Sequence, residues 1–293
     1  MTTTVDRVGL PPSGWYPDPV RGRHTPAHAR RFWDGQQWTA QVADGDLVAC
    51  DPLPPPEPDL RTALPGRAGW VALAGFLLGQ LLAVGGLALG AALAPDGLAL
   101  RLLLSQAGLW TGLLGACVLA SRRWGTGRLR TDYGLVSRVG DAGRGLLLSL
   151  GARLLAGVVL VLVALAARGL AGSNAGIFSL AEHDPAALVL LAVFAVLGAP
   201  LVEETFFRGL LQGALRCRLG AVAAVGLQAC AFGCAHVTPQ LGWGNVGLVL
   251  SLTAAGAVLG TAAERYRRLG PSIWAHGLFN LLPAVVLLSL ALR

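Results

Sequence analysis

Residues 186–215 read AALVLLAVFAVLGAPLVEETFFRGLLQGAL. Residues 186–202 carry no charged or hydrogen-bonding side chain, and two glutamates follow them at once, with an arginine four residues after the second. An apolar run of that length approaches the ~18–20 residues that a helix needs to cross a bilayer. Ionisable groups placed directly behind it do not belong to an ordinary lipid-facing helix. Pro200, inside the run, removes a backbone donor and kinks a helix, so the segment is expected as one kinked span or as two helices broken there.

The rest of the chain repeats the apolar pattern. Of its 293 residues 54% are hydrophobic and 13% charged, and the mean hydropathy is +0.60; soluble domains carry about 25% charged residues. Lipid is therefore the solvent for most of the chain. The fold class expected is all-α: a polytopic membrane bundle of about seven transmembrane helices over residues 68–293, preceded by a small Trp-rich soluble module at 12–42 and a linker at 43–67 that contains the Pro-rich run DPLPPPEPD at 51–59. The spans are placed near Trp70–Ala94, Leu98–Ala120, Gly145–Leu170, Ala186–Leu215, Gly220–Val237, Val246–Ala263 and Ile273–Leu292. The polar amino-terminal region opens without the apolar core of a signal peptide, so none is expected.

Every basic residue is an arginine, the net charge is +7 and the pI is about 9.9. The arginines cluster between apolar segments: six between Arg122 and Arg144, Arg216 and Arg218 after the fourth span, and Arg265, Arg267 and Arg268 after the sixth. The alternate loops, Pro95–Gly97, Ser173–Pro185 and Thr238–Asn245, have none. This is the pattern of the positive-inside rule for seven spans with a cytoplasmic amino terminus in a plasma membrane. The basic charge is thus read as topology, with membrane lipid and not nucleic acid as partner. Five cysteines form no disulfide framework. Cys230 and Cys234 lead to His236 in a metal-like spacing, but small apolar packing residues are the expected reading of the thiols.

An ionisable side chain at bilayer depth costs roughly 2.5–3.5 kcal/mol on insertion scales and normally faces a cavity or a partner. Three helices of the last third carry such groups. Glu204 and Arg208 are four apart and pair on one helix face, which turns Glu203 about 100° away toward another surface. Phe232 and His236 share a face of the fifth span, and His276 and Asn280 a face of the seventh. Singly, each has a bland reading: an interfacial salt bridge, a satisfied core histidine, an interhelical hydrogen bond used as packing glue. Together they assemble a carboxylate, two imidazoles and an amide, the groups that activate water and stabilise an oxyanion. No nucleophile elbow and no H-E-x-x-H helix is present. Arg153 and Arg168 are left over: Arg153 is placed near the inner face of a long tilted third span, and Arg168 snorkels to the outer interface.

The three motifs, Glu203-Glu204-x3-Arg208, Phe232-x3-His236 and His276-x3-Asn280, resemble in order and spacing those of the CAAX-protease and bacteriocin-processing family of intramembrane proteases, over roughly residues 130–293. The resemblance implies an intramembrane endopeptidase acting on a membrane-associated peptide or protein. It implies that Glu203 with His236 polarises the attacking water, and that His276 and Asn280 hold the tetrahedral oxyanion. Glu204 and Arg208 position the motif helix, or Glu204 assists with the proton. Glu203, His236 and His276 are also three donors of the kind that hold Zn²⁺ with a fourth place for water. Metal-bound water and water held by side chains alone both remain open. The competing classes are a non-catalytic scaffold or chaperone that holds a partner helix in the same polar cavity, and a small transporter, for which an inverted repeat would be expected and is not visible.

The amino-terminal stretch Gly14-Trp15-Tyr16-Pro17-Asp18-Pro19 with Arg31-Phe32-Trp33-Asp34-Gly35-x2-Trp38-Thr39 resembles a short Trp-rich module of unknown function, common before membrane spans in actinobacterial proteins. Its three Trp, one Tyr and one Phe form at most a tiny core, marginal below ~40 residues. Tethering, binding of a Pro-rich protein partner and contact with anionic lipid are the roles open to it.

Overall fold

The structure, a computed structural model, describes residues 11–18, 28–50, 61–167, 170–172 and 184–291. The Pro-rich run 51–59, Arg168 and residues 173–183 of the arginine-free loop lie outside the described residues. Two compact units are formed, Met1–Glu57 and Pro58–Arg293.

The first unit is a four-stranded antiparallel meander, β1 (Gly14–Pro17), β2 (Arg30–Trp33), β3 (Trp38–Asp44) and β4 (Leu47–Cys50), in the order β1-β2-β3-β4. The ordered module thus reaches Cys50, past the boundary at residue 42 read from the aromatic cluster. Trp33 lies opposite Trp38 in the β2–β3 register, with ring centroids 5.3 Å apart, and Trp15 meets Phe32 edge to face at 5.4 Å. So small a core is completed by a charge. Arg31 is fully buried; its Nε donates to Asp18 Oδ1 at 2.9 Å and its Nη1 to the Thr39 carbonyl at 3.0 Å.

The second unit is a multi-pass membrane bundle. Its helices are α1 (Ala68–Leu93), α2 (Leu98–Trp124), the single turn α3 (Leu129–Asp132) and α4 (Asp141–Ala166). There follow α5, a continuous course through Pro185–Val193, Phe194–Gly198, Ala199–Glu203 and Glu204–Leu211, then α6 (Gln212–Cys234), α7 (Asn245–Tyr266) and α8 (Gly270–Ala291). Helices α1, α2 and α4 are long and apolar enough to span, as is the stretch containing α7. The 50-residue stretch Pro185–Cys234 would be ~75 Å of unbroken helix, more than twice a bilayer core. Gly220, at φ 77 and ψ 173, breaks it, a conformation open to glycine. Among the described residues five stretches are thus long and apolar enough to cross a bilayer, against the about seven spans expected, and the all-α membrane bundle stands. The third span begins at Asp141 and ends at Ala166 instead of Leu170. In the bundle α1 packs on α2 and α6 on α7, while α4 lies against both α7 and α8.

A polar knot ties the arginine-rich end together. Asp132 is buried, and its carboxylate accepts from Thr62 Oγ1 (2.7 Å), the Thr126 amide (2.8 Å), Thr126 Oγ1 (2.9 Å) and Ser121 Oγ. Burial pushes its pKa up, but these hydrogen bonds outweigh burial and hold it below the usual carboxylate range. A group with a depressed folded pKa stabilises the fold above its unfolded pKa of about 3.9 and stops doing so as pH falls through the folded value. The melting temperature should therefore hold from neutral pH down to about pH 5 and fall in more acid solution. Asp132→Ala should cost about 2–3 kcal/mol at neutral pH by leaving buried donors unsatisfied, and should flatten that acid limb. A thermal-melt series in detergent measures both.

Candidate active site

Helix α5 starts at Asp184, whose side chain accepts from the Ala187 amide at 3.0 Å, with Pro185 in the first turn. It then widens twice into π turns, at Phe194–Gly198 and at Glu204–Leu211. Such turns are rare and concentrate at functional sites. In the first, the Ala199 amide bonds back five residues to Phe194. The donor due next in that register is residue 200, a proline without an N–H, so the Ala195 carbonyl loses its helical partner. Asn280 of α8 supplies one: its Nδ2 donates to Ala195 O at 2.7 Å.

The second π turn holds Glu204 and Arg208, both fully buried, with Arg208 Nη1 donating to Glu204 Oε1 at 2.9 Å. The same carboxylate oxygen lies 2.8 Å from His276 Nδ1. An ionised carboxylate only accepts, so His276 carries a proton on Nδ1. Its other nitrogen, Nε2, stands 4.0 Å from Glu203 Oε2. Glu203 therefore does not turn toward a separate surface. The two nitrogens lie on opposite edges of an imidazole, and the ring, reaching over from α8, addresses two successive glutamates at once. Glu203 Oε2 is buried and has no hydrogen-bond partner.

His236 sits at the end of α6, half-buried, with Nδ1 2.8 Å from the Phe232 carbonyl. A carbonyl only accepts, so Nδ1 donates and a neutral His236 presents Nε2 as a lone pair. The buried Phe232 ring is the wall common to the cluster: its centroid is 4.8 Å from that of His236 and 5.7 Å from that of His276, and the Arg208 guanidinium lies 4.3 Å over it. Glu203 and His236 share no hydrogen bond or ion pair among the described residues. The structure thus gathers Glu203, Glu204, Arg208 and His276, sets His236 against the same Phe232 ring as His276, and engages one N–H of Asn280 on the α5 backbone.

Two further buried polar residues were missed in the sequence. Gln212 donates to the Gly260 carbonyl (3.1 Å) and to Glu264 Oε1 (2.9 Å), and Gln228 donates to the Gly256 carbonyl (3.1 Å), which Arg208 Nη2 also reaches at 3.3 Å. Arg208 and Gln212, one turn apart, form a column facing α7, and Glu204, one turn before them, joins it to His276 of α8. A Cβ on Gly260 would lie 2.3 Å from Gln228 Nε2, so α7 has no side chain where this column docks. The available signal was the spacing: Gln212 follows Arg208 by four residues in an apolar segment.

A metal ion fits the cluster in donor type but not in arrangement. Among the described residues no three His, Cys, Asp or Glu side chains stand together as a ligand group. Glu203 has His276 as its neighbour, His236 packs against the Phe232 ring, and Cys230 and Cys234 are exposed free thiols.

Residues 185–282, from the start of α5 into α8, match the family described as type II CAAX prenyl endopeptidase Rce1-like. This match, over a third of the chain, supports the resemblance to the CAAX-protease and bacteriocin-processing family read from the motifs. The Rce1-like segment contains all three motifs, and the helices that carry them are those that build the cluster. Residues 13–59 match a protein family of unknown function, DUF2510, which takes in the β-meander. No curated protein and no solved structure gave a match.

Proposed function

We propose that the chain is an intramembrane endopeptidase that hydrolyses a peptide bond of a lipid-embedded substrate with water activated by Glu203. One observation carries the proposal: a buried carboxylate oxygen without a hydrogen-bond partner, 4.0 Å from an imidazole nitrogen. The separation is too long for a direct hydrogen bond and suits a bridging water. A water there donates to Glu203 Oε2 and to the His276 Nε2 lone pair, and its own lone pair is turned toward a substrate carbonyl. On attack the water proton passes to Glu203 while the new C–O bond forms. The remaining N–H of Asn280 stabilises the oxyanion. Collapse breaks the C–N bond as Glu203 returns the proton to the leaving nitrogen, giving an acid and an amine. His236 supplies a second acceptor at the edge of the cluster. Glu204 and Arg208 hold His276 in the tautomer that this needs.

The family match supports the endopeptidase class, and the apolar helices that carry the site support a lipid-embedded substrate. The test is purified protein in liposomes with lipid-anchored and membrane-spanning reporter peptides, read by mass spectrometry. New peptide termini are expected, at a rate unchanged within twofold after removal of divalent metals by chelation, because no step uses an ion. No cleavage of any reporter would favour a scaffold or transporter. Loss on chelation with recovery on adding Zn²⁺ would mean that the donors regroup around a metal. The arginine distribution supports a cytoplasmic amino-terminal module. A membrane-impermeant thiol reagent should then label the exposed Cys50 only in opened cells; labelling in intact cells would reverse the orientation.

A further inference from the structure

Arg153 is the thirteenth of the 26 residues of α4, and beyond the first turn it is that helix's only charged residue. It therefore lies at mid-helix, about three turns from the helix start. An ionisable residue at that depth needs a partner. Arg153 Nη2 donates to the backbone carbonyl of Phe279 in α8, and its guanidinium lies 4.7 Å over the Phe279 ring. That carbonyl is not an ordinary helical one. Its donor would be the amide four residues on, and residue 283 is a proline inside α8, which has no N–H and whose ring crowds the same carbonyl. Arg153 thus takes the acceptor that Pro283 orphans.

The next residue, Asn280, does the same in the opposite direction, donating to Ala195 O, which the first π turn and Pro200 leave without a helical partner. Two proline-interrupted helices are therefore stitched at adjacent residues of α8: α4 to the Phe279 carbonyl through Arg153, and α8 to α5 through the Asn280 side chain. One turn before Asn280 on α8 is His276. Two turns after Ala195 on α5 are Glu203 and Glu204.

We propose that Arg153 is a positioning residue of the site: by binding the Phe279 carbonyl it holds the α8 kink that sets Asn280 against α5 and His276 between the two glutamates. Its effect on turnover rests on the hydrolase reading above, while the stitch itself does not. The test is a double-mutant cycle of Arg153→Leu and Pro283→Ala in the full-length protein, read as kcat and KM in liposomes and as melting temperature in detergent. Alanine at 283 restores the amide that Phe279 O lacks, so the arginine becomes dispensable. Alone, Arg153→Leu should lower kcat about tenfold with KM within about twofold; in the Pro283→Ala background it should change kcat less than about twofold. The drop in melting temperature should show the same dependence on background. Arg153→Lys, which keeps a donor, should retain kcat within about threefold. Equal losses in both backgrounds, no loss on Arg153→Leu, or a change confined to KM would overturn the proposal. A wild-type protein that cleaves nothing would remove the hydrolase reading, and the melting cycle would still decide the stitch.

Discussion

Glu203→Gln is expected to lower turnover about 10³-fold or more, close to 4 kcal/mol of activation free energy, while the protein inserts, folds and binds substrate as before. The two adjacent glutamates are not equivalent. Glu204 is fully buried and already receives Arg208 and His276 on one oxygen, so it is occupied in holding the site together. Oε2 of each glutamate has no hydrogen-bond partner, but Glu203 is 15% exposed where Glu204 is 0%, so Glu203 is the carboxylate with a face open to a reactant. Glutamine keeps the shape and cannot take a proton. Initial rates in liposomes, with a melting temperature within about 3 °C of the wild type, make the comparison. Activity within tenfold of wild type in Glu203→Gln would remove Glu203 as the base.

Arg208→Ala is expected to fail earlier, at folding. Arg208 and Glu204 are both inaccessible to solvent, and the arginine also reaches the Gly256 carbonyl and covers Phe232. Breaking a buried pair by removing one partner costs about 3–5 kcal/mol, because the other charge stays buried and unpaired. Whole domains are stable by only about 5–15 kcal/mol. Little monodisperse protein should survive detergent extraction, and what survives should be inactive and melt well below wild type. Replacing both residues, Glu204→Leu with Arg208→Leu, removes both charges and should recover most of the stability. It should not recover activity, since His276 loses the carboxylate that sets its tautomer. A single Arg208→Ala protein with wild-type melting behaviour would show that the pair is not the keystone proposed.

The membrane bundle was legible because lipid imposes a length and a composition that no other fold demands, and runs such as 145–170 and 186–202 meet both. The motif spacings were legible because i, i+4 places side chains on one face, and Glu204 with Arg208 is such a pair. What sequence spacing cannot carry is the partner on another helix. The Glu203 side chain faces His276 because a ring from α8 spans two residues of α5, and nothing local to residue 203 encodes that. The π turns depend on which carbonyl an amide selects, a choice of one residue invisible in the pattern. The role of Arg153 is set by the Phe279 carbonyl, which Pro283, 130 positions from Arg153, leaves without a helical donor. The β-meander was missed because its strands are four to seven residues long and its core includes a buried arginine, the type of residue that sequence reading assigns to the surface.

The central claim is that a water held between Glu203 and His276 attacks the peptide bond. Cleavage of a membrane-spanning reporter in water enriched in ¹⁸O, followed by mass spectrometry of the new carboxyl terminus, tests it most directly. One labelled oxygen per cleaved bond is predicted for the wild type, and no labelled product above background for Glu203→Gln or His276→Ala. Labelled product forming at the wild-type rate in either variant, or cleavage that leaves the new terminus without ¹⁸O, would contradict it.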